Sequence, residues 1–177
     1  MRRVVFLVLA IALVAGGCGG GGGEAGPKTF DDEAFAITFQ YPAAFEELED
    51  VSIGSTAGAA SKEMRALGLN EQNVILVDRY DLRVEVTQEN LADVKPEVDQ
   101  VVSQAAGQEL SGEEIEIGGL PGYEYVFDLE DPPNARTRFL VLFHGATEYA
   151  LNCQSTPPQR DEVDAACQLV METLEPK

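Results

Sequence analysis

The residues with the most reactive side chains in this sequence are three cysteines and one histidine. Cys18 stands alone near the amino end, whereas His144, Cys153 and Cys167 share one stretch near the carboxyl end. A zinc site normally needs about four nitrogen or sulfur ligands, so these residues predict no His/Cys metal centre. Cys153 and Cys167 could form a disulfide, remain two buried thiols, or supply a nucleophile with His144 as its base.

Acidic side chains outnumber basic ones by 31 to 12, which gives this 177-residue chain a formal net charge of −19. Such a chain repels polyphosphate, which excludes nucleic acid as a partner. The acidic runs lack the Asp-x-Asp-x-Asp-Gly spacing of a calcium loop, so solvated surfaces explain them more simply. A calcium site and a carboxylate pair for glycoside cleavage stay open as alternatives. Serine hydrolase motifs are missing, and we predict no catalytic residue, metal or cofactor.

The first 17 residues have the pattern of an export signal. Arg2 and Arg3 precede an unbroken apolar run at 4–15, and small residues follow that run. The run is shorter than the roughly 20 apolar residues that a membrane-spanning helix needs. Residues 1–17 are therefore predicted to be a signal peptide.

The segment Ala15-Gly16-Gly17-Cys18 resembles the lipobox of bacterial lipoproteins. The resemblance implies that Cys18 is the mature amino terminus and carries a thioether-linked diacylglycerol. Two or three acyl chains, at about 0.8 kcal/mol per buried CH₂, would anchor the protein to the outer face of the cytoplasmic membrane or to the cell envelope. An ordinary signal peptide with an incidental cysteine is the alternative.

Five glycines at 19–23 open a segment with almost no side chains to bury. Residues 18–28 are therefore predicted to be a flexible tether. The glycines do not predict nucleotide binding, since no strand precedes them and no Lys-Ser/Thr follows. Residues 29–177 are predicted to form a single domain.

Strand patterns recur through that domain. Alternation or continuous apolar runs predict strands at 35–39, 74–77, 82–86, 115–117, 123–129, 139–143 and 147–153. A short edge strand is predicted to end at Val51 and Ile53. Turns are predicted at 118–122, at 131–134 and around His144-Gly145, which would make His144 an exposed or half-buried residue at a strand end.

Helix patterns occur at three places. Apolar residues at helical spacing predict a helix at 91–105 and another from Pro157-Pro158 to Leu174. Pro96 either kinks the first of these helices or marks its first turn. Composition predicts a further helix at 59–67, ended by Gly68. Successive strands with helices in the middle and at the end predict an α+β fold, an antiparallel β-sheet flanked by helices in an αβα sandwich.

The predicted elements bring Cys153 and Cys167 together. Cys153 lies on the strand face that carries Tyr149 and Leu151, and Cys167 lies on the apolar stripe of the last helix. Both side chains should therefore point into one interface, which favours a disulfide over two separate thiols. The disulfide would close a loop of about 15 residues, which in the chain-entropy model contributes roughly 3 kcal/mol to the free energy of unfolding. A thiol on a core-facing stripe is unreactive, which argues against the nucleophile.

The element order resembles that of the PsbP-like group. The residues that carry the likeness are "FAITFQYP", "GLPGYEYVF", "EYALNC" and the final helix "VDAACQLVMETL". The group includes the extrinsic PsbP subunit of the oxygen-evolving complex and small bacterial lipoproteins of the LpqN and DcrB type. Over residues 30–175 the resemblance implies an antiparallel sheet sandwiched by helices, with accessory or binding roles at membranes rather than catalysis.

Together these features predict a membrane-anchored, extracytoplasmic lipoprotein that is not an enzyme. Its expected role is that of a monomeric accessory or protein-binding module for an unidentified envelope protein. The alternative is a carrier of a small apolar or amphipathic ligand in a pocket between sheet and helices. That pocket would use aromatic residues that otherwise form core, namely Tyr123, Tyr125, Phe127, Phe139 and Phe143.

Mass spectrometry of the mature protein tests the lipid anchor. We expect a diacylglyceryl adduct on Cys18, and we expect Cys18→Ala to lose both the adduct and the membrane attachment, because the thiol is the acceptor of the lipid. The variant Cys153→Ala serves as the control and should keep its lipid. A mature protein without acyl mass on Cys18 would contradict the prediction.

Overall fold

The structure, a computed structural model, describes residues 26–49, 51, 62–130 and 132–177. The predicted signal peptide, Cys18, most of the predicted tether and Ile53 lie outside the described residues. The described chain has the predicted α+β fold, with helices packed against antiparallel sheets in one domain. No helix among these residues is long and apolar enough to cross a membrane.

The larger sheet has the strand order β3-β4-β5-β8-β7-β6, and a smaller sheet has the order β1-β2-β9. The strands are β1 Lys28–Phe30, β2 Ile37–Tyr41, β3 Glu46–Glu47, β4 Glu63–Asn70, β5 Asn73–Val86, β6 Glu113–Ile117, β7 Leu120–Asp128, β8 Arg136–Ser155 and β9 Glu175–Pro176. The helices are α1 Leu91–Ala106 and α2 Arg160–Thr173, the second preceded by a 3₁₀ turn at Pro157–Gln159. Pro96 lies inside α1, so it does not mark the first turn.

Strand β8 is the central element of the larger sheet, where it pairs with β5 and β7. The prediction of a central strand at 139–143 is confirmed. The predicted turn at His144-Gly145 is wrong, because β8 continues as one strand of 20 residues. Gly145 adopts a φ of +60°, which is open to glycine at little cost. Asp81 pairs with Thr147 and Val86 with Gly145, so the β5 segment between them bulges out of the ladder.

The side-chain alternation of β8 changes phase at this irregularity. Before Gly145, Phe139, Val141 and Phe143 pack on the face with α1. After it, the odd-numbered residues Tyr149, Leu151 and Cys153 pack on the opposite face with α2, and Ala150 packs with α1. One glycine thus lets a single strand present apolar residues to both faces in the order that the core requires.

The segment predicted as a helix at 59–67 is a strand where the structure describes it. Residues 63–70 form β4, which pairs along β5 from Glu63↔Arg79 to Asn70↔Asn73. A Cβ at Gly68 would lie 2.6 Å from the carbonyl oxygen of Asn73, so this glycine permits the close pairing rather than ending a helix. Non-local pairing overrides the helical propensity of the segment. The structure has the edge strand β3 at Glu46–Glu47, and Val51 is not in a strand, whereas the predicted end at Ile53 lies outside the described residues.

Helix α2 is fixed firmly to the sheet. Its apolar residues Val163, Ala166, Cys167 and Val170 are fully buried against β8, β5 and β2. Burying each valine stabilises the fold by about 1.5–3 kcal/mol. The sulfurs of Cys153 and Cys167 lie 2.05 Å apart with a Cα separation of 6.0 Å, so a disulfide joins β8 to α2.

The disulfide yields a stability prediction. The double variant Cys153→Ala/Cys167→Ala is expected to lower the free energy of unfolding by about 3 kcal/mol, because its unfolded chain is no longer cross-linked. Denaturant unfolding measures this, and dithiothreitol should produce a similar loss in the wild type but none in the variant. Two free thiols found under non-reducing denaturation would contradict the bond.

Candidate functional site

An apolar groove of about 910 Å³ lies between α1 and the adjoining face of the larger sheet. Strand β8 forms its floor, α1 one wall and the bulged end of β5 the other. Its apolar lining consists of Tyr80, Leu82, Val84 and Val86 of β5, Val94, Val98, Val101 and Val102 of α1, and Phe139, Val141, Phe143 and Ala150 of β8. We call this site the α1 groove.

The groove exists because α1 does not lie close against the sheet. Although α1 is amphipathic like α2, Leu91 and Val102 are its only buried residues. Val94 and Val98 are half-buried, and Val101 is 42% exposed. Val94 and Val98 touch the core cluster beneath the helix but keep part of their surface uncovered, so the apolar stripe of α1 lines the groove.

Hydrogen bonds hold α1 along the side nearest β7. The hydroxyl of Tyr123 donates to the carbonyl oxygen of Leu91 at 2.7 Å, and the hydroxyl of Tyr125 donates to Oδ1 of Asp99 at 2.7 Å. The backbone N–H of Gly112 also donates to Asp99, at 2.9 Å, and Lys95 donates to it at 2.7 Å. These bonds fix one edge of α1 through long side chains and leave the edge toward β5 open.

Asp99 is the electrostatic centre of this attachment. Partial burial raises its pKa, but hydrogen bonds from Gly112, Lys95 and Tyr125 stabilise the carboxylate and the net pKa lies below its ordinary value. For Tyr125, burial and the bond to Asp99 raise the pKa well above its ordinary value. The phenol therefore stays a neutral donor and Asp99 a charged acceptor through the physiological pH range.

Glu148 is the acidic group inside the groove. It lies on β8 directly opposite Tyr80 of β5 and is half-buried. Burial, and secondarily the negative charge of Glu97 on α1, raises the pKa of Glu148 to about 7. The charge of Glu97 adds to the effect of burial instead of offsetting it. At neutral pH this carboxyl group is therefore close to half-protonated.

The basic residues around the groove lie at its outer rim. Lys62 forms an ion pair with Asp81, and Arg79, which lies outside the groove, also pairs with Asp81 at 2.8 Å, so Asp81 neutralises part of the charge of both. Arg83 is exposed at the same rim. The charges at the rim are thus mixed, whereas the floor carries the carboxyl group of Glu148.

The structure separates the residues that could have formed a cysteine active site. Cys153 is bonded to Cys167 on the buried α2 face, and His144 is exposed in the middle of β8. Within the part of the chain that the structure describes, no group of three or more His, Cys, Asp or Glu side chains is arranged to hold a metal ion. Cys18 lies outside the described residues, so its lipidation stays a prediction.

Sequence reasoning proposed a pocket between sheet and helices lined by five aromatic residues, and the structure places two of them in the α1 groove. Phe139 and Phe143 do line the α1 groove, whereas Tyr123 and Tyr125 are buried and hold α1 in place. Glu148 was missed. The sequence did contain an indication: after His144 the apolar residues change from one face of the strand to the other. That change was interpreted as a turn.

Comparison with solved structures finds proteins to which this chain is similar. The solution structure of cyanobacterial PsbP (CyanoP) from Synechocystis sp. PCC 6803 has a TM-score of 0.60 at 16% identity, over 92% of this chain and 99% of that one. A Bacteroides thetaiotaomicron VPI-5482 crystal structure has a TM-score of 0.55 at 12% identity, over 85% of this chain and 48% of that one. The Saccharomyces cerevisiae Ran-binding protein Mog1p has a TM-score of 0.47 at 11% identity, over 85% of this chain and 95% of that one.

No protein-family model and no curated protein matches this sequence. At these identities the likeness to CyanoP concerns the fold, which is PsbP-like. The kinship with LpqN- and DcrB-type lipoproteins stays a prediction from the sequence.

The titration of Glu148 makes a prediction about stability. Because its folded pKa is raised from 4.5 to about 7, the folded state binds the proton more tightly, and stability falls as the pH rises through this window. Glu148→Gln is expected to remove this slope and to stabilise the protein at pH 8 by about 1–3 kcal/mol, allowing for solvent access.

Denaturant unfolding between pH 4 and pH 8 measures the effect. Glu162→Gln, at an exposed glutamate on α2, is the matched control and should leave the slope unchanged. Identical pH profiles for wild type and Glu148→Gln would contradict the assignment.

Proposed function

We propose that this protein is a lipid-anchored, non-enzymatic binding protein of the cell envelope that carries a small apolar or amphipathic molecule in the α1 groove. The observation that carries the proposal is the groove itself. Its volume of about 910 Å³ is within the range of known small-molecule sites, which measure about 300–1,000 Å³.

The lining supports binding rather than chemistry. Valine and aromatic side chains bind by apolar contact, and each Å² of apolar surface that a ligand removes from water is worth about 25 cal/mol. The half-buried valines Val94 and Val98 still have such surface to cover. The PsbP-like resemblance, which implies accessory or binding roles rather than catalysis, agrees with this role.

The predicted anchor fits a ligand of this kind. The tether at 18–28 leads from Cys18 to β1, and its ten residues up to Pro27 have an r.m.s. reach of roughly 17 Å. Acylation of Cys18 would therefore hold the groove close to the membrane surface. Amphipathic molecules concentrate at that surface, so the protein would collect or release its ligand there.

Docking of an envelope protein at the groove mouth is the second candidate function. Val84 on the β5 side is 60% exposed and Val101 on the α1 side is 42% exposed. Exposed apolar side chains next to each other mark interaction surfaces when they form a patch. In that case a side chain of the partner would enter the groove.

Native mass spectrometry of gently purified protein tests the first candidate. We expect a reproducible extra mass on the wild type. Val101→Glu should reduce the bound fraction at least several-fold, because a charge at the mouth opposes entry of an apolar molecule. Val126→Glu is the control, since Val126 is equally exposed at 42% but lies outside the groove.

A bare wild-type mass together with no uptake of added dodecanol would contradict ligand binding. Cross-linking from the 84 and 101 positions in intact cells would then test protein docking. Equal bound fractions in Val101→Glu and Val126→Glu would show that the extra mass is bound elsewhere.

A further inference from the structure

The α1 groove has a carboxyl group on each of its three sides, of which Asp81 on β5 is paired with Lys62 and Arg79. Glu148 rises from the β8 floor, and Glu97 lies on the α1 wall. They are close enough for the charge of Glu97 to act on Glu148. A ligand without a positive charge would make no favourable electrostatic contact with these two neighbouring carboxyl groups.

The groups of β5 that lie beside Glu148 do not supply a positive charge. Tyr80 is its direct cross-strand neighbour, and Asp78 pairs with Ala150 on the same face of the sheet. Both of these side chains have interactions of their own. The cations of the lining, Lys62 and Arg83, are at the rim, where Lys62 is paired with Asp81.

We propose that the ligand of the α1 groove is a cationic amphiphile, with its ammonium group between Glu148 and Glu97 and its apolar chain along Val98, Val102 and Phe139. The inference rests on the proposed function, because it assigns a chemical class to the ligand of the same groove.

The physical reason is the burial of Glu148. An ionised carboxylate that is half removed from water and lacks a counter-charge is unfavourable. An ammonium group at this position supplies that charge, whereas an alcohol does not and a carboxylate adds a third acid. The protein's net charge of −19 also draws cations toward it from solution.

Proton release accompanies such binding. Below pH 7 the neutral form of Glu148 predominates, and an ammonium gains little from it. As the pH rises the carboxylate forms, so the affinity for a permanently charged cation should rise with it. Binding near pH 7 should then release a fraction of a proton from Glu148.

Isothermal titration calorimetry on the purified protein tests the inference with three probes of equal chain length, used below their micelle concentrations. These are dodecyltrimethylammonium, dodecanol and dodecanoate. At pH 8 we expect the cation to bind roughly tenfold more tightly than the alcohol, and the carboxylate to bind most weakly. The affinity for the cation should fall at pH 6, whereas that for the alcohol should not.

Two variants locate the charge. Glu148→Gln and Glu97→Gln should each reduce the preference for the cation while dodecanol binds as in the wild type, which also shows that the groove is intact. Glu162→Gln on α2 is the matched control and should keep the full preference.

The outcomes separate this inference from the proposed function. Equal affinity for all three probes, or a cation preference that survives both groove variants, overturns the inference and leaves ligand binding in place. Absence of binding for all three overturns both.

Discussion

The structure depends on one strand that serves two cores. β8 crosses the larger sheet through its centre, and both helices pack on it from opposite sides. A strand with regular alternation could not place Phe143 under α1 and Tyr149 under α2, because residues six apart share a face. The left-handed conformation of Gly145 moves the alternation by one residue and thereby resolves the conflict. The accompanying bulge displaces the end of β5 and forms one wall of the α1 groove.

The two faces of that strand are attached by different physical means. On one face, α2 is held by a dense apolar stripe and by the disulfide. On the other, α1 is held by tyrosine hydroxyls and by Asp99 along one edge. Hydrogen bonds through long side chains fix a distance without filling the space beneath. The groove lies on the β5 side of α1, away from these bonds. Its position therefore follows from the way in which α1 is attached.

The sequence allowed five strands (β2, β5, β6, β7 and β8), the two long helices and the facing of Cys153 and Cys167 to be predicted, because each has a periodic pattern that local residues determine. The segment at 59–67 was misassigned because its composition is helical, whereas the strand at its described residues is stabilised by pairing with β5, which composition does not reveal. Gly145 was interpreted as a turn because bulges and turns use the same residue. The groove could not be located from the sequence, because Val94, Val98 and Val101 have the spacing of any core stripe. Only the incomplete burial of these valines in the structure shows that the stripe leaves space beside the sheet.

The attachment of α1 along one edge has a consequence for the motions of the protein. Local opening requires less free energy where few apolar contacts are lost, so α1 should detach from the sheet without disturbing the rest of the fold. Rotation about the β7 side would widen the mouth between Val84 and Val101 while Asp99 kept its partners. Amide hydrogens of α1 would then exchange faster than those of α2. A bound molecule that contacts both walls would slow the exchange, because each opening would break its contacts with the protein. Binding and release of a ligand would then be controlled by the opening of α1, while the disulfide keeps α2 and the sheet together.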